Sequence, residues 1–569
     1  MRSSQSPKTE SAFGSGAVSR RRVLAASLKT STAAALSLPL ANRVAAQATP
    51  QATPGATPGA TPGASAGAVV SSVEGVPTAY TQYPEPFTTV SETPGGGGAV
   101  RVLALSYSPP PTPREDNQYW QELETRLGVT WEADLVPIDS YGERISTTFA
   151  GGDLPDLFYL LPSATRPVIY EAIEQGAFAD LTDILGSDQI NEFPNLAAYP
   201  SYLWDAVRVN GRIWGVPKPV LRNNDPTYYR RDWGNALGFE TLADSQIVHD
   251  MLVAMSTNDP DGNGAADTYG LAPFGGGWGA FIINQMFGVP YLWRLNDDGT
   301  LANAIETDEY RQSLEYIVRL NADGAYHPDT VNLNVTQAEE LMLGGRTGMA
   351  TNGFAAIFGN GGYRQEVKAV VPAADLHPII MPGATGGKGI TYQTPGFFGF
   401  TAISAQAAQD DARLRELLRV MNYLVAPFGS EENTFLNYGI PGVHSEELPD
   451  GGFERTEQGT ADRSALVYPF LSENYFYYSG LPDEATFAQQ YNEQMAAVAV
   501  ANPTAGLFSP TNGEQGAELT QYLADTYTSI VTGREPITAL DTMISEWKSR
   551  GGDQIRQEYQ DAIAQRESS

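Results

Sequence analysis

The chain has 569 residues, 66 Asp+Glu against 35 Lys+Arg, a formal net charge of −31 and no cysteine. That length supports a full core and more than one lobe, while the lack of Cys excludes disulfides, thiol nucleophiles, iron–sulfur clusters and Cys-ligated zinc. A surface this acidic repels nucleic acid and anionic lipid headgroups, so neither is an expected partner.

The N-terminal segment reads as an address. Ser19-Arg20-Arg21-Arg22-Val23-Leu24 precedes a mildly apolar stretch at 33–41 and a small-x-small site at Ala46-Gln47-Ala48. Residues 1–48 therefore resemble a twin-arginine export signal, with the twin-arginine translocase as the partner during export. The apolar stretch is shorter than the ~20 residues a membrane span needs. No Cys follows it, so a lipid anchor is not expected. The segment carries seven Lys/Arg and one acid, and subtracting its net +6 from −31 leaves −37 on the mature chain. The expected location is periplasmic or extracellular, in association with the cell surface.

From Thr49 a Thr-Pro-Gly/Gln-Ala unit repeats four times. Such a tract stays extended and solvated, and residues 49–98 read as a disordered linker. Gly63-Ala64-Ser65-Ala66-Gly67 spells a nucleophile elbow but lacks the strand and helix that chemistry requires.

The folded body begins near Ala99. Periodicity predicts strands at 100–106, 130–136 and 155–160, with helices at 114–127 and 140–150 between them. This alternation implies an α/β fold with a parallel sheet. Asn210-Gly211 marks a hairpin turn. Helices are predicted at 245–256, 280–287, 307–321 and 337–343, and strands at 347–351, 376–380 and 396–403. Beyond Asp411 the chain reads as mainly helical.

One segment carries metal chemistry. In Asp259-Pro260-Asp261-Gly262-Asn263-Gly264-Ala265-Ala266-Asp267, side-chain oxygens recur at alternate positions. Gly264 permits a sharp turn, and Ala265 offers its carbonyl. Calcium takes six to eight oxygens from such loops. The bidentate Glu of an EF-hand is absent, with Gly270 in its place. The expected cofactor is a structural calcium ion.

Aromatic placement marks a ligand site. Gly277 and Trp278 open the helix that starts at Ala280, where free N–H groups and an indole face suit a sugar. Asn352-Gly353-Phe354 follows a strand end, and Tyr107 follows another, where open α/β sheets bind ligands. Tyr475 and Tyr477 belong to a dense aromatic run. The four histidines, His249, His327, His377 and His444, form no catalytic spacing. No catalytic residues are nominated and no enzyme is expected.

Several motifs in order carry a family resemblance. They are Asn210–Pro217 (NGRIWGVP), Tyr228–Trp233 with Leu237-Gly238, the Asp259–Gly270 loop, Asn437–His444 (NYGIPGVH), and Glu546-Trp547-Lys548 with Gly551–Ile555. Together the chain resembles the extracellular solute-binding proteins of carbohydrate ABC importers, in the long-chain branch with lipoprotein-like and alginate-oligosaccharide-binding members. The resemblance implies a two-lobed periplasmic-binding-protein-like fold of type II, with hinge strands at 226–230 and 396–401. It implies one lobe from 99–226 plus 396–450 and another from 227–395 plus 451–569. It places stacking aromatics at Trp278 and Phe354, and puts Thr268 where the alginate branch has an acidic calcium ligand. It implies a carbohydrate ligand, membrane permease subunits as partners and a monomer. Arg222, with Arg230, is a weaker candidate for a ligand charge, because the acidic body disfavours polyanionic sugars. A secreted glycoside hydrolase or lyase and a binding protein for peptides or another nutrient are the alternatives.

Overall fold

The computed structural model describes residues 67–568, apart from 274–276, 334 and 360. The export segment, the Thr-Pro repeat and Ser65 lie outside the described residues.

The first lobe is built as the sequence pattern predicts. The helix Gln118–Leu127 starts where the Asn117 side chain accepts from Trp120 N–H, and stops at Gly128 in the left-handed region. Its Tyr119, Leu123 and Leu127 recur at four-residue spacing and bury one face. The strand Leu157–Leu160 is buried at every position, as a strand covered on both faces should be. The sheet order is Thr130–Pro137, Ala99–Ser106, Leu157–Leu160, Phe397–Ile403, Val216–Pro219. The first three strands are parallel; Phe397–Ile403 runs antiparallel to both its neighbours. A strand from late in the chain thus sits between two early ones.

The second lobe has its own sheet, ordered Tyr269–Leu271, Thr347–Thr351, Thr227–Arg230, Leu376–Ile379. Thr227–Arg230 is antiparallel to both strands beside it. The helices Ser245–Thr257, Ala280–Phe287, Asp308–Ala322 and Pro510–Val531 pack around a separate core that includes Met251, Ile283, Ile317 and Ile530. Two cores joined by connectors make a two-lobed α/β architecture.

The crossings lie just outside the strands that the resemblance nominates. Thr227–Arg230 and Phe397–Ile403 are strands within the lobes. The chain passes between lobes at 220–226, at 390–396 and at 471–481. The first two connectors pair: Thr394 N–H donates to the Arg222 carbonyl at 2.6 Å, and Val220 N–H to that of Gly396 at 2.8 Å.

Two expected boundaries are corrected. Residues 67–98 are not a solvated linker. Tyr80 N–H donates to the Phe476 carbonyl, and Phe476 N–H to that of Thr78, at 2.8 and 2.9 Å. Gln489 on the helix Pro482–Ala496 donates to the carbonyls of Val69 and Pro77. The buried Glu432 carboxylate accepts from Thr89 and Val90 N–H at 2.8 and 2.7 Å. Tyr80 and Tyr83 pack edge-on to Phe428 at 5.0 and 5.1 Å. The segment is a strap across both lobes, held by apolar rings that a Pro-rich composition does not advertise. Second, residues 457–470 belong to the first lobe. Leu466, Val467 and Phe470 join its core, and Trp131 donates its indole N–H to the Leu466 carbonyl at 3.1 Å.

The ring of Phe428 anchors the strap, so Phe428→Ala should cost about 3–5 kcal/mol. A chain beginning at Ala99 should show a comparable loss. Denaturant unfolding of both variants checks this, and unchanged midpoints would show that the strap contributes nothing.

Candidate functional site

The topology puts specific loops on facing edges. In the first lobe, Tyr107 follows the end of Ala99–Ser106, Lys218 is the penultimate residue of Val216–Pro219, and Phe398 is the second residue of the return strand. In the second lobe, Asp225 precedes Thr227–Arg230 and Asn352 follows Thr347–Thr351, on one edge because Thr351 pairs with Thr227. Ala272 and Gly277 follow Tyr269–Leu271 at the same edge. Ligand crevices in open α/β sheets form at such strand ends.

The first wall is aromatic and basic. Lys218 Nζ lies 3.1 Å from the centre of the Tyr468 ring and 5.8 Å from that of Phe398. Tyr468 meets Tyr107 at 5.8 Å and Tyr159 at 6.0 Å. Burial holds the Lys218 amine well below its ordinary range, and the Arg463 guanidinium adds to the effect. Burial raises Tyr107 to about 12. The hinge floor is polar. Arg222 donates to Gln393 Oε1 at 2.8 Å and lies over the Tyr202 ring. Burial lifts the Asp225 carboxyl to about 6, partly offset by a hydrogen bond from Asn224.

Several expected site residues are placed elsewhere. Trp278 sits in a left-handed turn, φ 57°, between Gly277 at 72° and Gly279 at 65°. That turn carries the indole into the second lobe's core, edge-on to Tyr326 at 5.3 Å and only 4% exposed. It is not free to stack on a ligand; Gly277 beside it is exposed. Phe354 is 1% exposed and stacks on Phe358 at 4.5 Å, filling a core at the hinge rather than the crevice. Asn352 reaches the edge, but its amide donates to Tyr363 Oη at 2.8 Å and its oxygen accepts from Gly353 N–H. Tyr477 is buried, donates to Asp450 and packs edge-on to Tyr83, so it serves the third connector. Tyr475 stacks on Phe428 at 3.9 Å and is half-buried. Arg230 is wholly buried, forked onto Asp232 and bonded to the Gly345 carbonyl, so it faces no ligand. Tyr107 and Arg222 are where the sequence reading put them.

The acidic loop closes on itself. Asn263 Nδ2 donates to Asp261 at 2.9 Å and to Asp267 at 3.1 Å, while the N–H groups of Asn263 and Gly264 donate to Asp259. Burial and the neighbouring Asp259 and Asp267 raise the Asp261 carboxyl. Hard oxygen donors and crowded carboxylates suit a calcium ion. Among the described residues, no three His, Cys, Asp or Glu side chains are drawn close enough to form a ready metal group. Thr268 is not one of the donors: its hydroxyl points inward and donates to the Met255 carbonyl at 2.9 Å.

All four histidines have structural partners. His249 bridges Asp250 and Asp323, and His444 pairs with Asp462 and the Ile440 N–H. His377 meets Arg231, and His327 accepts from Asp329 N–H.

Sequence reasoning missed Lys218, Asp225 and Tyr468. One signal was available: Lys218 stands between two prolines inside a strand, an unusual place for an ammonium group.

The family is shown by comparison. The model for bacterial extracellular solute-binding proteins matches residues 112–427, more than half of the chain, which therefore belongs to that family. The polygalacturonan/rhamnogalacturonan-binding protein YtcQ of Bacillus subtilis is 24% identical over 473 residues, covering 82% of this chain and 91% of YtcQ. A structure of the S. pneumoniae ABC-transporter substrate-binding protein FusA with kestose aligns at TM-score 0.62 and 18% identity, covering 83% of this chain and 99% of FusA. The alginate-binding protein AlgQ2, solved without calcium ion, aligns at TM-score 0.60 and 15% identity, covering 84% and 100%. These structures establish the two-lobed binding-protein fold.

The raised Asp225 carboxyl has a pH signature. The folded chain holds this proton more tightly than the unfolded chain, so the contribution favours folding at low pH and is lost as pH rises through about 6. Asp225→Asn should therefore be more stable than wild type near neutral pH, and the gain should shrink steadily toward about pH 4. Denaturation midpoints of both proteins across that range check it.

Proposed function

We propose that this chain is the extracytoplasmic recognition component of an ABC importer. It captures an oligosaccharide between its lobes and passes it to membrane permease subunits. The observation that carries this reading is the cluster of Tyr107, Tyr468 and Lys218 on the edge of one sheet, facing polar Asp225 and Asn352 on the other. Tyrosine faces stack on the apolar faces of sugar rings, and side-chain carboxylates, amides and guanidinia bond the hydroxyls. YtcQ and FusA, named for carbohydrate ligands, support the same class. Binding proteins of this architecture close by hinge motion, and the paired connectors at Arg222 and Thr394 are the hinge.

In this reading the protein does no covalent chemistry. It acts as a monomer outside the cytoplasm, exported through the twin-arginine translocase that Arg20 and Arg21 address. The Asp259–Asp267 loop holds a structural calcium ion through Asp259, Asp261, Asn263, Asp267 and the Ala265 carbonyl. Bound calcium would offset the repulsion that raises the Asp261 carboxyl.

Thermal-shift screening against oligosaccharides and peptides tests the main reading. At least one oligosaccharide should raise the melting temperature, and Tyr107→Ala should weaken its binding about tenfold or more, about 1.4 kcal/mol. A shift with peptides and none with any sugar would overturn it. Calcium should raise the melting temperature of wild type, and Asp259→Ala should abolish that rise. Melting insensitive to chelator would remove the calcium assignment.

A further inference from the structure

A ring contact joins the two lobes through residues outside the three connectors. Tyr170 lies on the helix Pro162–Glu174, which follows directly after Leu157–Leu160. That strand runs parallel to Ala99–Ser106, so the start of the helix stands on the same crevice edge as Tyr107. Ile169, Ala172 and Ile173 fix the helix in the first lobe's core, and Tyr170 itself is only 8% exposed. Its ring stacks on that of Phe508, with centroids 4.2 Å apart and planes inclined by 18°.

Phe508 belongs to the other lobe. The strand Ala499–Ala501 pairs in parallel with Thr391–Gln393, and the chain then runs through 502–508 into the helix Pro510–Val531. Ser509 caps that helix, accepting from Asn512 N–H at 3.0 Å. Glu558, on the C-terminal helix, accepts from Thr511 Oγ1 at 2.7 Å, from Thr511 N–H at 3.1 Å and from the Ser509 hydroxyl. Leu507 packs against the second lobe's core, whereas Phe508, the next residue, packs against the first lobe's. A helix cap and a carboxylate thus hold this backbone on one lobe while its ring is given to the other.

We propose that Tyr170 and Phe508 form a latch that keeps the two lobes closed in the absence of ligand. Each ring is anchored in its own lobe, so rotation about the connectors at 220–226 and 390–396 has to part them. A stacked aromatic pair shifts an equilibrium by roughly tenfold beyond the area it buries. The open form is therefore the minor one until a ligand enters, and the stack re-forms once the lobes close again. Loss of the stack lowers the closed population with and without ligand, so ligand affinity falls with it. The latch governs access to the crevice whatever the ligand is, and goes beyond the oligosaccharide reading without depending on it.

The chain has no cysteine, so spin labels can be placed at chosen positions only. Glu174→Cys and Glu514→Cys put one on an exposed position of each of the two helices. Pulsed electron paramagnetic resonance of the ligand-free protein should give one short distance. Adding Phe508→Ala should lower the closed-to-open ratio about tenfold and bring in a longer distance, whereas Phe508→Tyr, which keeps the ring, should retain the short one. Phe508→Leu keeps apolar bulk without a ring; it should behave as Phe508→Ala does and serves if alanine disturbs folding. A ring that only supports the fold would lower the melting temperature and leave the distances alone. Identical distance distributions with and without the ring, or a long distance dominating in the parent, would overturn the latch. Because no ligand is used, either result leaves the importer reading intact, and failure of every sugar to bind would leave the latch intact.

Discussion

The backbone pairing of the two main connectors is the constraint on which the molecule depends. Arg222 and Thr394 hydrogen-bond across it, as do Val220 and Gly396. The first lobe's sheet is incomplete until Phe397–Ile403 enters between Leu157–Leu160 and Val216–Pro219. That strand arrives only after the chain has built most of the second lobe and come back. Each sheet therefore turns its loop-bearing edge toward the other. The crevice, its tyrosines and its hinge all follow from this return.

The strap and the third connector reinforce the same junction. Thr78 and Tyr80 hydrogen-bond with Phe476, and Phe428 gathers rings from the strap and the connector. This explains why Tyr475, Tyr477 and Phe354, all aromatic and all near the hinge, differ in fate. Phe354 and Tyr477 fill the space where segments meet. Tyr475 gives one face to Phe428 and lies near Arg455. An aromatic at a hinge is needed first for packing, and only rings left at an edge are available to a ligand.

Most of the fold was legible because its signals are local. The helix Gln118–Leu127 follows from a four-residue repeat with Asn and Gly at its ends, and Leu157–Leu160 from a short apolar run. The order of motifs from Asn210 to Ile555 pointed to the right family. The site was less legible. Tyr107 stands just past the end of Ala99–Ser106 and Arg222 at the crossing between the lobes, both positions that short motifs announce. Trp278 was misplaced because a left-handed turn, invisible in composition, redirects its side chain. Lys218 and Tyr468 were missed because they are far apart in the chain and meet only in the folded lobe.

The sequence alone determined the class: an acidic, cysteine-free α/β protein with an Asp-rich loop and the motif order of a solute-binding family. These rest on composition and short spacings, which survive without contacts. Only the tertiary structure decided that residues 67–98 are a packed strap, that Trp278 and Phe354 are core, and that Lys218 lies against the ring of Tyr468. Those are statements about which distant side chains meet. A net charge of −31 is a sum over the whole chain, and which of its charges meet is set only by the fold.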